Sequence, residues 1–199
     1  GLFHVFTHAF FKAMLFMGAG GVIMALHHEQ NIFKIAQHRA SLPIIATTFL
    51  IGVIAISGIP PFSGFFSKDA ILAAAFQEGQ YLIWGIAMFT AFLTAFYMFR
   101  MYFIVFVAPN HHDEDYVYTS KTITFPLLIL AIGAIAAGFL NLPAIFGRNH
   151  FVDTWLAQLN SKHIHMDHTT EYVLMALSII VAATGIMAAY AKYAKFDVT

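Results

Sequence analysis

LPIIATTFLIGVIAISGIPPFSGFFSKDAILAAAFQ, residues 42–77, is the stretch whose reading decides the fold. From 42 to 67 it holds no Asp, Glu, Lys or Arg, so it reads as a span through hydrocarbon. It is too long for one straight crossing, which takes roughly 20 helical residues. It is also interrupted by Ser57-Gly58-Ile59-Pro60-Pro61-Phe62-Ser63-Gly64. Two adjacent prolines remove two backbone donors and clash with the preceding turn, so a continuous helix cannot pass. Irregular backbone at membrane depth survives only where protein or a water-filled cavity surrounds it. The break at Pro60, Pro61 and Gly64 therefore points to a functional interior.

Working outward, charge-free runs recur at 13–26, 79–99, 122–147 and 172–191. Of the 199 residues 60% are hydrophobic and 10% charged, and mean hydropathy is +0.75, outside the range of soluble domains. The runs are long and continuous, whereas a membrane barrel alternates over segments of about ten residues. The expected fold is an all-α, polytopic transmembrane helix bundle with one discontinuous helix. The crossings are read at 2–26, 42–77 (broken near 58–64), 80–107, 122–141 and 171–191. Residues 1–199 form a single membrane unit in this reading, with a short amphipathic helix at 151–159. The chain opens inside an apolar pattern, which suggests a fragment of a longer protein without a signal peptide.

Lys and Arg in the connections set orientation. Lys34, Arg39, Lys121, Lys192 and Lys195 fall on one side and Arg148 and Lys162 on the other, which assigns the first side to the cytoplasm or the mitochondrial matrix. The assignment assumes that the broken segment crosses once; a re-entrant loop would invert everything after it. A formal net charge of zero without a basic block gives no support for a nucleic-acid partner. With no cysteine, disulfides, zinc–thiolate sites and iron–sulfur ligation are excluded for this chain.

His4, His8 and Lys12 stand at i, i+4 and i+8 in the first crossing, on one helical face. A lysine near mid-span costs at least about 2.5–3.5 kcal/mol if it meets lipid, so Lys12 is expected to face protein or water. Burial disfavours an ammonium and a nearby acid favours it, so a lysine between such influences can load and release a proton. Histidine titrates near neutral pH and both ring nitrogens can carry protons, which suits His4 and His8 to a relay. The plainer alternative is a set of buried structural hydrogen bonds.

Lys68 and Asp69 follow the break. A half-helix beginning near 63–66 turns its unpaired N–H groups and positive end into the break, close to Lys68, a candidate proton carrier. The competing reading is an interfacial Lys–Asp pair that ends a helix. Arg100 is placed to snorkel to headgroups, with Tyr97 and Tyr102 in an aromatic belt. His163, His165, His168 and Asp167 are read as a polar loop rather than a metal site, and His111 to Asp115 as a solvated cap. Gly18-Ala19-Gly20-Gly21 offers small residues for close helix approach.

Residues 2–30 (LFHVFTHAFFKAMLFMGAGGVIMALHHEQ) and 58–72 (GIPPFSGFFSKDAIL) resemble the antiporter-like chain L, or subunit 5, of NADH-quinone oxidoreductase, respiratory complex I. Residues 94–106 (TAFYMFRMYFIVF) are similar to the same family. The resemblance implies a C-terminal portion of a proton-translocating subunit, with the family's histidine pair and central lysine on His4, His8 and Lys12. Its lysine after the broken helix falls on Lys68, and the neighbouring acid on Asp69. It implies partners among the other membrane subunits of complex I and the lipid bilayer. It also implies no cofactor in this chain, NADH, FMN, iron–sulfur clusters and quinone residing in other subunits. The implied location is a bacterial inner membrane, with the mitochondrial inner membrane as the alternative. A subunit of a multi-subunit cation/proton antiporter or membrane-bound hydrogenase shares the motifs, and a structural membrane anchor is the third reading.

Overall fold

The computed structural model describes residues 1–36, 42–107, 120–141 and 167–194. The candidate loops at 108–119 and 142–166, with Arg39, His111, Arg148, Lys162, His163, His165 and Lys195, lie outside the described residues. Among the described residues every regular element is a helix. They are α1 (Leu2–Ala25), the short α2 (Ile32–Ile35), α3 (Pro43–Ser57), α4 (Ser63–Gln77), α5 (Tyr81–Tyr102), α6 (Lys121–Ala136) and α7 (His168–Tyr193). A π-helical turn, Phe103–Val107, extends α5, and a 3₁₀ turn, Ala137–Leu140, extends α6. Four spans among the described residues are long and apolar enough to cross a membrane: Leu2–Ala25, Tyr81–Val107, Lys121–Leu140 and Thr169–Tyr193. The chain is an all-α, polytopic membrane protein.

The ends of α3 and α4 follow from local chemistry. Pro43 occupies the first turn of α3, where a missing N–H costs nothing. At the other end Gly58 takes φ 75°, a left-handed position that suits a residue without Cβ. There the N–H of Ile59 donates to Ile54 O at 3.4 Å and that of Gly58 to Ala55 O at 3.1 Å, closing the last turn. Pro60 and Pro61, joined by a cis peptide bond, block continuation, and α4 resumes at Ser63.

The two halves run head to tail along α1. Reading α1 backwards, a Cβ on Gly21 would lie 2.9 Å from Ile45 and one on Gly18 2.9 Å from Phe49, while Leu15 fits the notch at Gly52. Phe11 then meets Gly64, and Thr7 and His4 reach Ser67. Thus α4 continues in the direction of α3, antiparallel to α1. Of the small residues in the first span, Gly18 and Gly21 face α3, whereas nothing lies near Gly20.

Helix α6 also runs antiparallel to α1, from Ile123 beside Gly21 to Gly133 against Phe10, and its 3₁₀ turn sets Gly138 on Ser63 and Phe66. Helices α5 and α7 run parallel: Met88 is near Ser178, Gly185 abuts the Phe92 carbonyl, and the Phe103 and Tyr190 rings lie 5.6 Å apart. Phe11, Met14, Ile45, Val53 and Leu127 are buried at the centre. Leu82, Phe16, Phe125 and Ile132 point outward and are 67–79% exposed, large apolar groups that suit lipid or further protein.

Charge follows these directions. Lys34, Lys121 and Lys192 gather at the end where α1, α5 and α7 finish, and Glu78, Asp167 and Glu171 at the opposite end. Glu29 sits in the turn between α1 and α2. The Asn31 backbone N–H donates to it at 2.8 Å and Lys34 pairs with it at 3.3 Å, which holds its carboxyl below the usual range. Being exposed, this pair contributes little to stability.

Gly64 tests the break most sharply, because a Cβ there would run into the Ala55 carbonyl, and backbone cannot move aside as a side chain can. Gly64→Ala is expected to destabilise the full-length protein by about 1–3 kcal/mol or more, while Gly20→Ala is neutral or mildly stabilising. Thermal unfolding in detergent measures both, and equal melting temperatures would show that α3 and α4 do not meet as described.

Candidate proton-path site

The break opens on a cavity of about 210 Å³. Helix α1 contributes His4, His8, Phe11 and Lys12, α3 contributes Ile56, α4 contributes Gly64 and Lys68, and α5 contributes Thr94 and Tyr97. A water molecule takes about 30 Å³ in the liquid, so there is room for several. Four candidate residues, His4, His8, Lys12 and Lys68, thus line one space.

The helical face anticipated for α1 is present. The rings of His4 and His8 are 5.8 Å apart, His8 stands edge-on to Phe11 at 5.3 Å, and Lys12 Nζ lies 5.3 Å from the centre of the Phe16 ring. Two hydroxyls that motif reading passed over bind this face to α4. Ser67 Oγ lies 2.9 Å from His4 Nδ1 and accepts from Thr7 Oγ1 at 2.9 Å. Thr7 and Ser67 are fully buried. Each has a second acceptor within reach, His4 O at 3.1 Å for Thr7 and Gly64 O at 3.4 Å for Ser67. The signal for Thr7 was its place three residues after His4, on the same face; Ser67 had only its neighbour, Lys68.

Lys68 crosses the break in the reverse direction. Its Nζ donates to the Ile56 carbonyl at 3.1 Å, one of the carbonyls left over where α3 ends. The expectation stressed the positive start of α4, but the long side chain bypasses it and reaches the negative end of α3, where a cation is favoured. Asp69 departs from the cavity altogether. Its carboxylate is buried and accepts from Ser178 Oγ of α7 at 3.1 Å. Lys68 and Asp69 do not form the interfacial pair considered above, since successive helical residues point about 100° apart.

Tyr97, read as part of an aromatic belt, is 49% exposed and also borders the cavity. Arg100 places its guanidinium carbon 5.2 Å from the centre of the Tyr193 ring, on α7.

Residues 1–94 match the family model described as NADH:quinone oxidoreductase/Mrp antiporter, transmembrane. Residues 1–94 belong to this family. It is 38% identical to NADH-quinone oxidoreductase subunit L of Escherichia coli, over 94% of this chain and 29% of that protein. Against subunit L of Mycobacterium tuberculosis it is 37% identical, over 96% of this chain and 30% of the relative. Against NAD(P)H-quinone oxidoreductase chain 5 of a Picosynechococcus strain it is 42% identical, over 72% and 26%. The chain therefore spans less than a third of the length of these relatives, and the family match at 1–94 contains the break and the α1 histidines.

Ser67→Ala removes the group shared by His4 and Thr7. It is expected to free His4 Nδ1 and raise the rate of its modification by diethyl pyrocarbonate severalfold in the full-length protein. An unchanged rate would mean that Ser67 does not hold this ring.

Proposed function

We propose that this chain is part of a proton-translocating membrane subunit of an NADH:quinone oxidoreductase, in which His4, His8, Lys12 and Lys68 pass protons through the cavity at the helix break. The observation that carries this reading is their convergence, from two helices, on one space large enough for water. Imidazoles exchange protons near neutral pH. An ammonium kept from lipid but held by a carbonyl rather than a carboxylate has an acceptor in its charged form and leaves no buried anion when it gives up the proton. The relatives' names tie such subunits to NADH or NAD(P)H oxidation by quinone.

The redox groups, NADH, FMN, iron–sulfur clusters and quinone, belong in this reading to other subunits, and a chain without cysteine offers no thiolate for a cluster. Its partners are then the neighbouring membrane subunits and the bilayer. The bacterial relatives favour a bacterial cell membrane. A second reading, a subunit of a multi-subunit cation/proton antiporter, is kept alive by the family description, which names both kinds of protein. The oxidoreductase is favoured because the relatives compared above all carry that name.

Lys12→Ala and Lys68→Ala, introduced into the full-length subunit within its assembled complex, are each expected to lower protons pumped per electron at least severalfold while assembly persists. Undiminished stoichiometry in both variants would refute the relay. Cation exchange without NADH dependence would favour the antiporter.

A further inference from the structure

Asp69 lies outside the cavity, and its surroundings describe a second polar site on another side of α4. Its carboxylate is 6% exposed and receives the Ser178 hydroxyl at 3.1 Å. That hydroxyl has one hydrogen and a competing acceptor, the Leu174 carbonyl one turn back on α7, at 3.0 Å. Met88 Sδ of α5 lies 4.0 Å from Ser178 Oγ. Back-bonding from serine to the carbonyl four residues earlier is ordinary in apolar helices. If Ser178 did only that, the buried carboxylate would lose this donor, and leaving a buried charged group short of a hydrogen bond is costly.

We infer that Ser178 is a positioning residue for proton transfer at Asp69, its hydroxyl turning between two acceptors as the carboxyl gains and loses a proton. With Asp69 ionised, Ser178 O–H donates to Oδ1. When a proton arrives on the carboxyl, that new O–H donates to the lone pair of Ser178 Oγ, and the serine hydrogen rotates onto Leu174 O. No covalent bond to serine changes, and the arriving proton stays on Asp69. Each state keeps its hydrogen bonds, so neither leaves a buried polar atom stranded.

The charged groups around Asp69 leave this role to α7. Lys68, beside it in sequence, bonds to Ile56 and borders the cavity with His4 of α1. Helix α3 and the 3₁₀ turn after α6 carry no titratable side chain, and α5 brings Met88 to the contact. Glu171, two helical turns before Ser178 on the same face of α7, is the acid that acts on Asp69 through space. The inference rests on the reading of this chain as a proton carrier and adds α7 to the residues involved.

Infrared difference spectra of the full-length subunit in its assembled complex test it, with Asp69→Asn identifying the carboxyl stretching band. Ser178→Ala is expected to displace that band and to cut pumping at least threefold, with uncoupled electron transfer unchanged; Ser178→Thr restores both. Ser178→Cys, a weaker donor of similar size, should displace the band if the alanine variant fails to assemble. A band that stays in place in the alanine or cysteine variant overturns the inference even where the Lys12 and Lys68 variants stop pumping. A displaced band with full pumping by Asp69→Asn also overturns it, because Asp69 then carries no proton, while leaving the cavity relay intact.

Discussion

Two consecutive prolines cannot donate, and in hydrocarbon every backbone carbonyl deprived of its partner must find another inside the protein. This requirement shapes the middle of the molecule. The last turn of α3 closes onto Gly58 and Ile59, yet the Ile56 carbonyl is met from outside the helix, by the ammonium of Lys68. A free acceptor at the negative end of a helix and a cation that must be kept from lipid solve each other's problem. A carboxylate in the same place would also have held the lysine, but would have been left uncompensated whenever the lysine lost its proton, at a cost of several kcal/mol. A carbonyl is neutral in both states.

The same economy governs the seam between α1 and α4. His4 needs a partner on Nδ1 and the buried Thr7 needs an acceptor, and Ser67 serves both. Because hydroxyls donate and accept, the cluster stays satisfied whichever way its hydrogens point. His4, His8, Lys12 and Lys68 all border the cavity, and Asp69, on another side of α4, meets Ser178. Bundles that place ionisable groups in this way keep them from lipid without using ion pairs.

How much of this was written in the sequence depends on the range of the interaction concerned. The helices were legible because length and apolarity are local properties: the anticipated 42–77 segment does break where the prolines stand, and α4 does begin at Ser63. The α1 face was legible because a fixed helical period places His4, His8 and Lys12 together. What escaped were contacts fixed by tertiary packing. Nothing in the order of residues says that Lys68 reaches back twelve positions, or that Asp69 meets a serine 109 positions away. That Tyr97 also borders the cavity escaped too, because an aromatic near the end of an apolar run has the same composition whether or not a cavity lies beside it.

Helix α4 shows why a half-helix can sit firmly although its backbone is severed from α3. Three successive residues tie it to three different helices: Ser67 to α1, Lys68 to α3 and Asp69 to α7. Successive side chains on an α-helix project about 100° apart, so three in a row sweep most of its circumference. Rotating α4 by one residue would break all three contacts at once, and stranding a buried group such as Ser67 or Asp69 costs about 1–3 kcal/mol. Gly64 and Gly138 then fix the separation, since the Ala55 carbonyl and the Ser63 backbone occupy the space their side chains would need. Polar contacts thus set the rotation of α4, and missing side chains set its distance. A hydrophobic face could do neither alone, because inside a bilayer apolar surface is as content against lipid as against another helix.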